Sequence, residues 1–271
     1  MDRSAPIGVF DSGIGGLTVV REIMRQLPGE SVVYFGDTAR VPYGSKSPET
    51  VIRFSLEDSA FLLRKGVKLL VAACNTASSV SMPALRGGSS VPVVGVIEPG
   101  AAAAAGATRS GIVGVIGTNG TISSGAYQKA LREAGGIRTV VAQPCPLLVP
   151  LVEEGWLEHR ITTLVVEEYM APLLRERIDT LVLGCTHYPL LREVLGRVLG
   201  PGVALVDSAE STASVVGRTL GEAGLLREQD AHELPSHSFY VSDIPLKFQE
   251  IAQRFLGRSI PLVTQVEVGD A

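Results

Sequence analysis

Short apolar runs rich in Val, Leu and Ile recur along this chain, each followed by a turn with glycine or hydroxyl residues and then by apolar residues at helical spacing. Few folds accept that alternation. Parallel strands buried on both faces read as continuous apolar runs and need helical crossovers between them, so the pattern predicts an α/β protein of mostly parallel sheet flanked by helices. Ile7 to Phe10 reads as the first strand. Asp11-Ser12-Gly13-Ile14-Gly15-Gly16 is then a turn whose glycines allow backbone to approach a ligand, and Leu17, Val20, Ile23 and Leu27 mark the helix after it. Val32 to Phe35 is the next strand. After the loop from Asp37 to Lys46, Ser47-Pro48-Glu49 reads as a cap with proline at the first helical position, and Val51, Phe54, Phe61 and Leu62 form that helix's buried face. Further strands are expected at Val91 to Ile97, Ile112 to Ile116, Thr139 to Val141, Leu205 to Asp207 and Phe239 to Val241, with an edge strand at Ile260 to Val263. The alanine-rich stretch Ala101 to Ala105, opened by Pro99, predicts a short, tightly packed helix, since alanine is the best helix former. Longer helices are expected at Ile161 to Arg177, Glu210 to Leu220 and around Leu246 to Leu256.

Two of the apolar runs end at a cysteine. Val67-Lys68-Leu69-Leu70-Val71-Ala72-Ala73 delivers Cys74-Asn75-Thr76, and Thr180-Leu181-Val182-Leu183-Gly184 delivers Cys185-Thr186-His187. Ligands of open α/β sheets sit beyond the carboxyl ends of the strands, which places both thiols at a rim where a substrate could meet them. The residues after each cysteine would offer N–H groups at a helix N-terminus, which bind carboxylates and favour thiolate. Asp11-Ser12-Gly13 precedes Cys74 by nearly the interval at which Thr118-Asn119-Gly120 precedes Cys185, which suggests two related halves facing one cleft. A single buried cysteine is more often a small hydrophobe; two in matching contexts favour a shared chemical role. Asp11 reads either as a turn former or as a proton partner for a thiol. His187 reads as a packing residue or as a proton exchanger. Glu153 is either a surface carboxylate or a cleft acid, and the pattern alone favours the surface. Cys145, between Pro144 and Pro146, reads as structural.

Composition narrows the function. The 271 residues carry 24 basic and 28 acidic side chains, a net charge of −4, with no dense basic run, so neither nucleic acid nor an anionic membrane is an expected partner. The N-terminus lacks the apolar core of a signal peptide and no run reaches membrane-spanning length, which makes a cytoplasmic protein with reduced thiols the expectation. Gly13-Ile14-Gly15-Gly16 lacks the dinucleotide spacing, and no phosphate-binding loop signature occurs. Cys185 and His187 have no second histidine or paired cysteine nearby, so no metal site is expected.

Asp11-Ser12-Gly13-Ile14-Gly15-Gly16-Leu17-Thr18-Val19, Pro42-Tyr43-Gly44, Cys74-Asn75-Thr76-Ala77-Ser78, Val96-Ile97-Glu98-Pro99-Gly100 and Gly184-Cys185-Thr186-His187-Tyr188-Pro189-Leu190-Leu191 together resemble the aspartate/glutamate racemase family, and within it the glutamate racemases. The resemblance runs from Ile7 to about Ala209. Aspartate enzymes of the group tend to carry Glu at the position of His187 and His at that of Ser78, so these two residues favour glutamate. The family implies a cofactor-independent two-base racemisation, with Cys74 taking the proton from D-glutamate and Cys185 from L-glutamate. It also implies Asp11 beside Cys74, and Glu153 with His187 near Cys185. Substrate would be held by Asp11, Ser12, Gly13, Pro42, Tyr43, Gly44, Asn75, Thr76, Thr118, Thr121, Thr186 and His187, without a metal. The family further implies two pseudo-symmetric α/β domains, residues 1–96 with 208–271 and residues 97–207, enclosing the site. A homodimer and a role in supplying D-glutamate for peptidoglycan are part of the same expectation. Racemases of aspartate or another small acid, a redox pair of thiols and a binding module are the alternatives.

Overall fold

The computed structural model describes residues 2–227, 234–260 and 262–267. In chain order the strands are β1 (Ile7–Asp11), β2 (Val32–Gly36), β3 (Leu69–Ala72), β4 (Val93–Gly95), β5 (Ile112–Gly117), β6 (Thr139–Pro144), β7 (Thr180–Gly184), β8 (Ala204–Asp207), β9 (His237–Val241) and β10 (Val263–Gln265). The helices are α1 (Leu17–Gln26), α2 (Pro48–Arg64), α3 (Asn75–Gly88), α4 (Ile97–Ala107), α5 (Asn119–Ser123), α6 (Ala126–Ala134), α7 (Leu148–Glu153), α8 (Arg160–Arg175), α9 (Arg192–Leu199), α10 (Ser208–Glu222) and α11 (Pro245–Leu256). Two sheets result, in the orders β10-β9-β2-β1-β3-β4 and β6-β5-β7-β8, and the pairings among these strands are parallel.

The period of two along each strand sorts side chains onto the two faces of each sheet. In the first sheet, Ile7, Val9, Val32, Tyr34, Leu69 and Val71 face the layer containing α1, while Phe10, Val33, Phe35, Leu70 and Ala72 face the layer containing α2 and α3. In the second, Val113, Val115 and Val182 pack with Tyr127 and Leu131 of α6, and Leu181 and Leu183 pack with residues of α8 and α9 such as Met170 and Val194. The larger core runs without a break from one sheet to the other. Helix α10 joins them, resting on both α1 and α4 and burying Ala209, Ala213, Val216 and Leu220.

Boundaries shift where local chemistry allows. The strand expected to reach Ile97 stops at Gly95, and α4 begins at Ile97, ahead of Pro99. Proline tolerates the first turn, where its missing N–H would be unpaired anyway, so the helix need not wait for it. The expected edge strand starts later, at Val263, where it pairs with Phe239 of β9; Pro261 lies outside the described residues.

Candidate active site

Parallel register aligns the four decisive strand ends in two pairs, one in each sheet. Phe10 stands beside Ala72, so Asp11 leaves β1 next to the point where Ala73 and Cys74 leave β3. Gly117 stands beside Gly184, so Thr118 and Cys185 leave β5 and β7 as neighbours. Cys74 occupies the N-cap position of α3, which matches the expected helix N-terminus. At Cys185 the expectation fails in part: Tyr188–Leu191, containing Pro189, forms a 3₁₀ turn, and α9 begins only at Arg192. Such tightened turns are common at helix starts, and here the turn shifts the helix terminus away from the thiol.

Both thiols are buried, at 6% exposure each. The Cys74 thiol donates to Ser12 Oγ at 3.6 Å. Burial, joined by the charge of Asp11 and by nearby Cys185, pushes Cys74 up to about 12. Asp11 is itself wholly buried; it accepts from the Gly13 N–H at 2.9 Å and from Thr186 Oγ1 at 3.5 Å. Burial raises its carboxyl, opposed by the positive charge of His187 and the N–H groups of Gly13 and Gly16.

The Cys185 side is built differently. His187 places Nδ1 3.9 Å from Cys185 Sγ and Nε2 3.0 Å from Glu153 Oε1. Burial disfavours the imidazolium, but hydrogen bonds to Cys185 and Glu153 and their charges outweigh it, raising His187 to about 10. Phe255 of α11 meets the imidazole edge-on, 5.3 Å between centroids, and Arg254 Nη1 donates to the Glu153 carbonyl at 2.9 Å. Glu153 thus answers both readings left open by the sequence, since its side chain is 40% exposed yet reaches the buried histidine.

A histidine whose folded value lies above its unfolded value of about 6.5 stabilises the fold fully below that value and progressively less as pH climbs to the folded one. The melting-temperature difference between the wild-type chain and a Glu153→Gln variant should therefore be largest near pH 6 and shrink as pH rises through about 10. Melting curves across that range check it, and a difference independent of pH would remove the imidazolium from the account.

A cavity of about 390 Å³ opens over these groups, lined by Ser12, Gly13, Pro42, Gly44, Thr118, Glu153 and His187, with Val41, Pro146, Val149 and Pro150 as its apolar wall. The thiols are not part of this lining, but each is hydrogen-bonded to a residue that is, Cys74 to Ser12 and Cys185 to His187. The lining contains no lysine or arginine. Thr118 of the lining belongs to a triangle of hydroxyls: Thr76 Oγ1 is 2.9 Å from Thr118 Oγ1 and 3.2 Å from Thr121 Oγ1, and the latter two are 3.0 Å apart. Two of them come from the second sheet's strand end and one from the first's, so the triangle ties the halves together.

Two expected contacts take another form. Tyr43, expected among the residues that hold substrate, has its hydroxyl buried and bonded to Asp37 and, at 2.9 Å, to Asp58; those carboxylates come from outside the motif and occupy the phenol. Asn75 Oδ1 accepts from Tyr127 Oη at 2.7 Å, while its buried Nδ2 has no hydrogen-bond partner among the described residues, a donor ready for a ligand oxygen. Tyr127, Phe255 and Arg254 were not anticipated. They lie on ordinary amphipathic helices and carry no local signal of a role.

Residues 7–216 match the Asp/Glu/Hydantoin racemase family, and the chain belongs to that family. Among its relatives, a glutamate racemase of Geobacter metallireducens is 54% identical over 262 residues, covering 97% of this chain and 96% of that one. Among solved structures, the glutamate racemase isoform RacE1 of Bacillus anthracis superposes with a TM-score of 0.93 at 44% identity, over 98% of each chain. The glutamate racemase of Francisella tularensis in complex with D-glutamate superposes with a TM-score of 0.90 at 37% identity, again over 98% of each chain.

Proposed function

We propose that this chain is an enzyme that interconverts L- and D-glutamate, using Cys74 and Cys185 as an opposed acid and base. One observation carries the reading: two buried thiols stand just beyond the ends of β3 and β7, one in each parallel sheet, and each is hydrogen-bonded to a residue lining the same cavity, Cys74 to Ser12 and Cys185 to His187. The likeness to glutamate racemases along nearly the whole chain supports the substrate.

Inverting an α-carbon requires removal of its proton on one face and delivery of a proton on the other. Held up near 12, Cys74 enters as a thiol, the proton donor for the L-to-D direction. His187 offers Cys185 a protonated imidazole as counter-charge, so Cys185 serves as the base toward L-glutamate. In the reverse direction Asp11 accepts the Cys74 proton, and the arriving α-ammonium supplies positive charge that favours the thiolate. The chain's own side chains supply both acid and base, so the proposed reaction uses no cofactor. Substrate carboxylates are held by Ser12, Asn75, the hydroxyls of Thr76, Thr118 and Thr121, and main-chain groups of Gly13, Gly44 and the α3 N-terminus.

The proposal includes a division into residues 1–96 with 208–271 and residues 97–207, the cleft lying between. It also includes a cytoplasmic homodimer supplying D-glutamate for peptidoglycan. Among the described residues no helix is long and apolar enough to cross a membrane. The deciding test incubates the protein with L- or D-glutamate in D₂O without added cofactor and follows α-deuterium incorporation and optical rotation. Loss of rotation from both enantiomers with deuterium in the product is expected. Exchange with aspartate but not glutamate would reassign the substrate, and exchange with neither would refute the racemase reading.

A further inference from the structure

Behind the cavity wall lies a buried polar cluster that the proton transfers do not use. Asp37 and Asp58 are both wholly buried, and both meet the hydroxyl of Tyr43 at hydrogen-bond distance. Arg40 spans them: Nε lies 2.6 Å from Asp37 Oδ2, Nη2 lies 3.0 Å from Asp58 Oδ1, and Nη1 pairs with Glu57. The guanidinium also stacks on Phe54, 4.0 Å from the ring centroid. Two buried carboxylates so close resist joint ionisation, and Asp58 is accordingly pushed well up by burial and by Asp37. One planar cation holds three acidic side chains, a task suited to the arginine fork rather than to a point charge.

The cluster grips one short segment from both ends. Ser242 Oγ, just beyond β9, donates to Asp37 Oδ1 at 2.9 Å and accepts from the Ala39 N–H at 2.8 Å. Thr38 Oγ1 donates to the Asp243 carbonyl at 2.6 Å and accepts from its N–H at 2.8 Å. Between these anchors and Tyr43 the chain delivers Val41 and Pro42, and then Gly44, to the cavity wall. Gly44 presses on the opposite half so closely that a Cβ there would lie 2.6 Å from Thr118 Cβ. Any slack in the segment would move the wall against the hydroxyl triangle.

We propose that Arg40 is a positioning residue for substrate binding: by clamping Asp37, Glu57 and Asp58 it fixes the segment that holds Pro42 and Gly44 against Thr118. The inference rests on the glutamate reading of the cavity. It acts on the wall and not on the thiols, so it predicts a split between binding and turnover.

The test measures racemisation of both enantiomers by the wild-type chain, by Arg40→Gln and by the double variant Arg40→Gln with Asp58→Asn. Arg40→Gln should raise KM for both enantiomers by about 10-fold or more while kcat falls by less, the scale expected when a wall shifts by a fraction of an ångström. Asp58→Asn removes the buried acid left without its cation and should bring KM several-fold back toward wild type. A folded Arg40→Gln variant with wild-type KM, or one whose KM Asp58→Asn leaves unmoved, overturns the role. If Arg40→Gln does not fold, Arg40→Lys, which keeps the charge but lacks the fork, is read the same way: a raised KM supports the clamp and a wild-type KM overturns it. A wild-type chain inactive on glutamate would instead strike at the substrate assignment.

Discussion

Replacing either Cys74 or Cys185 by serine should cut glutamate racemisation by on the order of 10²- to 10⁴-fold, the usual worth of a positioned acid or base. The fall must be equal in both directions when expressed as kcat/KM, because the two enantiomers have the same free energy. Sidedness appears instead in hydrogen exchange. With Cys74 gone, Cys185 and its His187–Glu153 relay remain, so in D₂O the variant should place deuterium at the α-carbon of L-glutamate and return it uninverted. The Cys185 variant should do the same to D-glutamate alone. Nuclear magnetic resonance of the recovered substrate distinguishes the two. Deuterated D-glutamate recovered from D-glutamate incubated with the Cys74 variant would reverse the assignment of faces. Serine is close to cysteine in size, and circular dichroism of each variant shows whether the fold persists.

A single methyl group added at Gly15 should be nearly as damaging. A Cβ there would lie 2.5 Å from His187 Nδ1 and would overlap Thr186 Oγ1. Both neighbours touch groups on which the proposed mechanism depends: His187 is hydrogen-bonded to Cys185, and Thr186 to Asp11. Neither is the free end of a long side chain that could swing away. Displacement of the imidazole by even part of an ångström should lower kcat/KM by roughly 10²-fold, while overpacking costs about 1–3 kcal/mol of stability. Gly196→Ala is the control, since a Cβ at that position of α9 meets nothing within 4 Å and alanine favours helix by about 1 kcal/mol. Steady-state kinetics beside thermal melting separate the two effects. Undiminished activity in Gly15→Ala would mean that the turn yields and that the position of His187 does not govern the rate.

How much of this was legible in the sequence depends on how local the cause is. Strands β1, β2, β3 and β7 are buried at every position, and continuous burial leaves a continuous apolar run that cannot be missed. The two thiols were legible for the same reason, as the first reactive groups beyond such runs. Glu153 was not, because its direction depends on how α7 is carried across the second sheet to His187. Tyr43 enters the expected substrate set through the resemblance of its Pro42-Tyr43-Gly44 motif, which says nothing of where its hydroxyl goes. The carboxylates that claim its hydroxyl come from Asp37, just before the motif, and from Asp58 on α2, and pairing with them is decided by packing rather than by spacing. Phe255 and Arg254 belong to the last helix, far in sequence from the groups they support, where an amphipathic pattern reports only which face is covered. The early start of α4 shows the smaller limit: a proline marks the first turn of a helix without naming its first residue.

The two thiols have unlike neighbours, a carboxylate beside Cys74 and an imidazolium beside Cys185. Turnover in the proposed mechanism therefore does not return the protein to its starting form. Converting L-glutamate leaves a proton on Cys185 and a vacancy on Cys74, a protonation isomer fit only for the reverse conversion. Before the same direction can run again, a proton must travel back across the empty cleft, through Asp11, His187 or solvent. That return step involves no substrate, so raising the glutamate concentration cannot speed it, whereas buffers able to carry protons should.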